Sequence, residues 1–595
     1  MLEIKNDGIT LDGEKFDILS GSMHYFRIFP SQWKARLQLM KDFGLTVVQT
    51  YVPWNAHEKR PGEFDFSGML DLKKYLKTAS EVGLKVFLRP APYICSEWDL
   101  GGLPWWLLKD RNMRFRCMDE KFIKAVERYY ERLCKEFVPE LSTNGGSVIA
   151  VCIENEYGSF GSDREYLEFI RDCLKKNGVD VPFYTTDGYD NMMLEKGTVG
   201  EWAGVNYRSE SKVAIEALRK FQPDKPAFIG EFWSGRAIHM DNKFEYREVA
   251  PIAASFKEAL ENGGLVNFYM FGGGTNFGFM NGANYGYDFT PRDGEKEKYI
   301  AHATTYDEDA PISENGQPKE KYFALRDVLD DFRGIPRRER IMPKYETQEI
   351  KDVKFTGFAS LFDNLDNLSS AHKSPMPKSM EELDFGFGYI LYSAYLTGPC
   401  DGMEYPLYID GLRDRATVYF DGEYKGCYIR DGEEEGIKLV IPEGGARLDI
   451  FVENMGRINY GRWMQYERKG ITEQVRLNYN IVHKWENYPL PMDNIESVVY
   501  SEKKKPDTPT FCKATFKAKP GVDTFLRFDE LTKGNVWING FNIGRYWNKG
   551  PCETLYVPGE LLKEENEIVV FEIHNAGEKV DFVNQSKLNG FVEGY

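Results

Sequence analysis

Ser147-Val148-Ile149-Ala150-Val151-Cys152-Ile153-Glu154-Asn155-Glu156-Tyr157-Gly158 decides how the rest of the chain is read. Residues 147–153 are small or apolar and mostly β-branched. The run is too short for a core helix and predicts a strand buried on both faces. Glu154, Asn155 and Glu156 follow at once. A buried strand that ends in carboxylates packs poorly unless it opens into a cleft. A parallel α/β sheet has such a cleft beyond the carboxyl ends of its strands. The stretch therefore predicts a catalytic carboxylate with a partner elsewhere in the chain.

Similar runs recur at 16–25, 45–54, 84–93, 182–187, 198–207, 226–233 and 265–274, which with 147–157 makes eight. Helical patterns lie between most of them, at 33–43, 69–82, 120–137, 164–176, 212–221 and 250–261. Eight alternating strand–helix units imply a (β/α)8 barrel with an all-parallel sheet. Many runs end in residues a core does not want: His24 and Arg27; Asn55, His57 and Glu58; Arg89, Cys95 and Glu97; Asp187; Asn206; Glu231. Ends so alike predict one polar pocket at the carboxyl face.

Composition narrows the function. Aromatics form 14% of the chain, which suits stacking on sugar rings and equally an aromatic-rich β core. A net charge of −17, from 76 basic and 93 acidic side chains, argues against nucleic acid as a partner. The nine cysteines include no CxxC pair, so neither a zinc site nor a disulfide framework is indicated. The charged start, Met1-Leu2-Glu3-Ile4-Lys5, does not read as a signal peptide. No apolar run is long enough to span a bilayer, so no membrane partner is expected and the cytoplasm is the expected location.

Past about Asp330 the pattern changes. Residues 333–354 are charged, with Pro336 and Pro343, and read as a linker. Strand-and-turn sequence follows, with an internal repeat. Val418-Tyr419-Phe420-Asp421-Gly422 with Gly426 matches Val536-Trp537-Ile538-Asn539-Gly540 with Gly544. The Asp-Gly and Asn-Gly pairs are hairpin-turn signals. Two β-sandwich domains are expected. The domain reading is a barrel at 1–332, a linker at 333–375 with a strand joining the last sandwich, and sandwiches at 376–485 and 486–595.

Two carboxylates at the ends of different barrel strands are the machinery of glycoside hydrolysis. The second is Glu231, in Ala227-Phe228-Ile229-Gly230-Glu231-Phe232-Trp233, again a short apolar strand ending in Glu. In a closed barrel Glu156 and Glu231 face one mouth. Glu154 reads as a supporting salt bridge. His57-Glu58 lacks the spacing of a zinc motif, and Gly272-Gly273-Gly274 lacks the Lys-Ser/Thr of a phosphate loop and reads as a close packing point. No metal or cofactor is expected.

These residues carry a resemblance. Ser20-Gly21-Ser22-Met23-His24-Tyr25, Gln49-Thr50-Tyr51-Val52-Pro53-Trp54-Asn55, Arg89-Pro90-Ala91-Pro92-Tyr93-Ile94-Cys95-Ser96-Glu97-Trp98, Gly101-Gly102-Leu103-Pro104, residues 153–158, residues 272–278 and Thr305-Tyr306-Asp307 follow in order across the barrel half. Together they resemble the β-galactosidases of glycoside hydrolase family 35. The resemblance implies Glu156 as acid/base and Glu231 as nucleophile. It implies that Tyr51, Cys95, Glu97, Asn155 and Tyr306 hold the galactose ring, with Trp233 beside them. Family members often carry further aromatics past the nucleophile. Here Trp233 is followed by Arg236, Ala237, Ile238 and His239, which leaves the acceptor preference open.

The expectation is a retaining exo-β-galactosidase that removes terminal β-linked galactose from oligosaccharides or glycans. Its architecture is α/β plus all-β: a TIM barrel followed by two jelly-roll, galactose-binding-like sandwiches. A homodimer is allowed by this reading. The rivals are an exo-β-glucosaminidase or other exo-glycosidase on the same barrel, and a non-catalytic galactose-binding protein. The sandwiches are expected to support the barrel, with Tyr460 able to reach the acceptor side.

Overall fold

The computed structural model describes residues 1–6, 8–286, 298–432, 436–501, 509–575 and 577–588. Eight parallel strands close into a barrel: β1 (Ser20–Ser22), β2 (Val47–Tyr51), β3 (Lys85–Arg89), β4 (Val148–Asn155), β5 (Phe183–Gly188), β6 (Trp202–Tyr207), β7 (Phe228–Trp233) and β8 (Leu265–Tyr269). All eight match the expected runs. Every residue of β4 is buried, as a strand covered by helices on one face and barrel interior on the other requires.

The surrounding helices are α1 (Pro30–Phe43), α2 (Leu72–Val82), α3 (Glu120–Phe137), α4 (Arg164–Lys176), α5 (Asn191–Gly197), α6 (Ser211–Phe221), α7 (Val249–Glu261) and α8 (Glu320–Phe332). α3 shows the logic. Asp119 caps its first turn by accepting from Lys121 N and Phe122 N, and Phe122, Val126, Tyr129, Leu133 and Phe137 form one buried stripe. The helical pattern missed α5, which is too short to show a period. It also missed α8, whose buried face carries Lys321, Arg326, Asp327 and Asp330 and so breaks the apolar stripe.

The sequence reading placed nothing before residue 16. The structure has a small sheet of Leu2–Lys5, Gly8–Leu11 and Glu14–Lys15 there. Leu2 and Ile9 pack with Phe87, Tyr184, Trp202 and Phe228, which fill the barrel's amino-terminal end. Only the carboxyl end is left open to chemistry.

Two β-sandwiches follow. The first packs a six-stranded sheet, His372–Ser374, Trp485–Leu490, Tyr389–Leu396, Ala446–Glu453, Arg415–Phe420 and Glu423–Ile429, on a four-stranded one. The second is built of a five-stranded and a four-stranded sheet. The repeat is a pair of equivalent hairpins. Asp421 and Gly422 turn at φ 51° and 81°, Asn539 and Gly540 at φ 51° and 82°. Both turns are left-handed at both central residues, as the strand twist demands. Each is followed by a bulge, at Gly426 and at Gly544.

Ile350–Lys354 pairs with Lys579–Val583, and Gly357–Ser360 with Thr510–Lys517, so this stretch lies in the second sandwich. The first sandwich differs from its expected limits of 376 and 485. His372–Ser374 and Trp485–Leu490 pair with each other, and the latter pairs with Tyr389–Leu396. The alternation that marks strands continues to Leu490, whereas His372–Ser374 is a short edge too polar to read as a strand.

The first sandwich is bolted to the barrel by Arg457. Its backbone N–H donates to Asp99 Oδ1 at 2.8 Å, Nη1 to Asp99 Oδ2 at 3.3 Å, and Nη2 to Glu381 Oε1 at 2.7 Å. All three side chains are fully buried. Arg457→Met leaves two buried carboxylates without their cation, a loss of about 3–5 kcal/mol. Thermal denaturation should show a clearly lower melting temperature; an unchanged one would contradict the role given to this contact.

Candidate active site

The end of β4 sends three consecutive side chains three ways. Glu154 is gripped by Arg116, whose Nε and Nη2 donate to its two oxygens at 2.8 and 2.7 Å. It is a supporting salt bridge, as expected. Asn155 faces the barrel axis, where its Oδ1 accepts from Tyr51 Oη at 2.9 Å and from Arg89 Nη2. Glu156 leaves the strand in the left-handed region, at φ 48°. Its Oε1 accepts from Asn206 Nδ2 at 2.9 Å, and it remains partly open. A non-glycine residue held in this region costs on the order of 1–2 kcal/mol, a sign that function and not packing fixes it.

Glu231, near the end of β7, is 5% exposed. Oε1 accepts from Arg89 Nη1 at 2.7 Å and Tyr51 Oη at 2.9 Å, and Oε2 accepts from Trp233 Nε1 at 3.0 Å. Every partner donates. Across the mouth, Glu156 is pushed up to about 7, by burial first and by the negative charge of Glu231 second. The lowering effects of Asn206 and Arg89 are smaller.

Cys95, Ser96 and Glu97 all have left-handed backbones, at φ 52°, 58° and 48°. This strained loop turns Glu97 to accept from Tyr306 Oη at 2.6 Å, and Tyr306 Oη lies 2.9 Å from Tyr269 Oη. Burial pushes the Glu97 carboxyl up and the Cys95 thiol up to about 12. Cys95 Sγ accepts from Asn459 Nδ2 at 3.4 Å, a contact from the first sandwich. Burial first, and the charge of Glu156 second, push the Tyr460 hydroxyl up to about 12.

The structure thus brings Glu156, Glu231, Tyr51, Asn155, Cys95, Glu97, Tyr306 and Trp233 to one mouth. Other strand-end residues expected in the polar ring are taken up by structural partners. Asp187 accepts from Gly158 N at 2.7 Å, and Glu58 from Trp54 Nε1 at 2.6 Å. Glu97 is held by Tyr306. The sequence reading gives Arg89 and Asn206 no role beyond a polar strand end and, for Arg89, a place in a family stretch. Asn459 gave no signal, because nothing local ties a sandwich loop to a barrel. Gly273 is a packing point: a Cβ there would meet Tyr306 O at 2.6 Å.

Residues 8–332 match the family described as Glycosyl hydrolases family 35. The chain belongs to that family. It is a glycoside hydrolase. Residues 377–491 match the β-galactosidase first all-beta domain and 509–567 the β-galactosidase galactose-binding domain. A β-galactosidase of Xanthomonas manihotis is 39% identical over 92% of this chain and 89% of its own length. The β-galactosidase of Homo sapiens is 36% identical over 96% of this chain and 87% of its own. A β-galactosidase-1-like protein of Mus musculus is 35% identical over 100% and 93%.

The raised Glu156 carboxyl has a stability consequence. Its folded value lies above its unfolded one, so its stabilising contribution is full below the unfolded value and is lost as pH rises through about 7. Glu156→Gln removes that loss. Between about pH 4 and about pH 8 the variant should gain up to roughly 3 kcal/mol over the parent. Denaturant titrations at the two pH values test this; a constant difference would contradict it.

Proposed function

We propose that the protein is a retaining exo-β-galactosidase, removing terminal β-linked galactose by double displacement. The observation that carries the reading is the division of the two carboxylates. Glu156 is held near 7 in a partly open position, and Glu231 is set among three donors opposite it. Pairs of carboxyl groups in such different settings divide the acid and nucleophile roles. The galactose specificity follows the named activity of the relatives.

Glu231 attacks the anomeric carbon in its ionised form, oriented by Arg89, Tyr51 and Trp233. Glu156, protonated, gives its proton to the leaving oxygen. Formation of the galactosyl ester consumes the charge of Glu231. Glu156 then loses the neighbour that raised it and can take a proton from water. The same water attacks the ester from the opposite side, and two inversions leave a β product. Tyr51, Asn155, Glu97, Cys95 and Tyr306 contact the ring. Exo action follows the resemblance to the family's β-galactosidases. The separation this mechanism requires is about 5–5.5 Å between the carboxyl groups.

The two carboxamide variants should differ in kind. Glu231→Gln should be inactive on every β-galactoside. Glu156→Gln should lose roughly a hundred- to ten-thousandfold on alkyl galactosides. It should keep far more galactosylation of nitrophenol, a leaving group that needs no proton, and should lose the alkaline limb near 7. Azide should rescue Glu156→Ala and give the β-galactosyl azide. An α-azide from Glu156→Ala would reverse the roles.

A further inference from the structure

The loops after β6 and β7 hold a group of cations that the steps above do not use. Arg208 follows β6, Arg236 lies three residues past Trp233, and Arg247 precedes α7. Arg247 Nη1 donates to the carbonyl of Trp233, and its Nη2 to the carbonyl of Arg208 at 3.4 Å. One side chain therefore ties the two loops together. Burial first, then the charges of Arg208 and Arg236, push Arg247 down to about 10. Three like charges are gathered beside the residue whose indole holds Glu231.

Two carboxylates, Asp309 and Asp307, act on Arg247 without forming an ion pair with it. Asp309 Oδ1 takes Lys321 Nζ at 2.6 Å, and its Oδ2 accepts from the backbone N–H of Arg247 at 3.0 Å. Asp307 is pushed up to about 7, by burial first and Asp309 second. Among the described residues none of the three guanidinium groups makes an ion pair, and Arg236 Nε is buried without a hydrogen-bond partner. Like charges held together without direct ion pairs repel; the Arg247 fork is taken by the two carbonyls, and the planar guanidinium forks of Arg208 and Arg236 are shaped for a carboxylate or an oxyanion.

Position says which part of a substrate would meet them. The leaving oxygen must lie at Glu156, which is held by Asn206 of β6. Arg208 is two residues beyond Asn206. In the reading above the galactose ring meets Glu97 and Tyr306, which hydrogen-bond each other. We propose that Arg208, Arg236 and Arg247 form an acceptor-side subsite for an anionic group, a sulfate ester or a carboxylate, on the sugar to which the terminal galactose is attached. This rests on the β-galactosidase reading above.

The test compares kcat/KM of the full chain on three β-galactosyl disaccharides. One acceptor is a neutral N-acetylhexosamine, one the same sugar sulfated, one a hexuronate. At least one anionic acceptor should be preferred by about tenfold, the equivalent of one charge-assisted contact. Arg236→Gln and Arg208→Gln should each bring that ratio toward unity, Arg236→Lys should retain part of it, and added salt should erode it. The ratio within one variant does not depend on the fraction that folds. Which anionic arm is preferred identifies the group. Equal rates on all three, or a preference that survives both glutamine substitutions, would overturn the subsite alone. Hydrolysis of none would sink the galactosidase reading and the subsite with it.

Discussion

The Arg89 guanidinium is the contact on which the site depends. It is fully buried at the end of β3. Nη1 donates to Glu231 at 2.7 Å and Gln49 at 3.3 Å, and Nη2 to Thr186 at 2.7 Å and to Asn155. Its Cζ lies 4.3 Å from the centre of the Tyr51 ring. One charge thus joins the ends of β2, β3, β4, β5 and β7. A buried cation is tolerated only when paired and hydrogen-bonded; the two terminal nitrogens meet that need through these side chains, while Nε has no hydrogen-bond partner among the described residues. Glu156 is outside this web. For Glu156, burial first and the charge of Glu231 second outweigh the lowering effects of Asn206 and Arg89, so its carboxyl stays raised while Glu231 is clamped.

The rest of the mouth is built of strained backbone that needs outside support. The Cys95–Glu97 turn is held from below by Arg27, which donates to Ser96 Oγ at 2.8 Å and stacks 3.7 Å from the centre of the Tyr306 ring. It is held from above by the first sandwich: Asn459 reaches Cys95, and Tyr93 Oη donates to Asn459 O at 2.7 Å. Arg545 of the second sandwich reaches Asn281 and Asn454, joining all three domains behind the mouth. The first sandwich therefore borders the site, and the second braces the barrel and the first sandwich together.

The barrel was legible because parallel strands buried on both faces leave unbroken apolar runs, and because each run ends where the cleft begins. Glu156 and Glu231 stood out as carboxylates that such strands should not carry. The hairpins were legible from Asp421-Gly422 and Asn539-Gly540, whose backbone conformation only a few residue pairs adopt easily. What the sequence hid has a common cause. Lys321, Asp327 and Asp330 are charged residues buried by tertiary pairing, so α8 lost its stripe. Asp187 and Glu58 satisfy backbone and indole donors that local pattern cannot reveal. Asn459 matters only because a sandwich docks on a barrel more than 300 residues away in sequence.

The central claim is that Glu231 forms a covalent bond to galactose while Glu156 manages the proton. A deactivated fluorosugar β-galactoside with a good leaving group tests it most directly. Fluorine beside the anomeric carbon slows both steps, and the leaving group rescues only the first, so the intermediate accumulates. Peptide mass spectrometry of the inactivated protein should find one fluorogalactosyl unit on Glu231. A label on Glu156 or another carboxylate, or turnover with inversion and no label, would contradict the account.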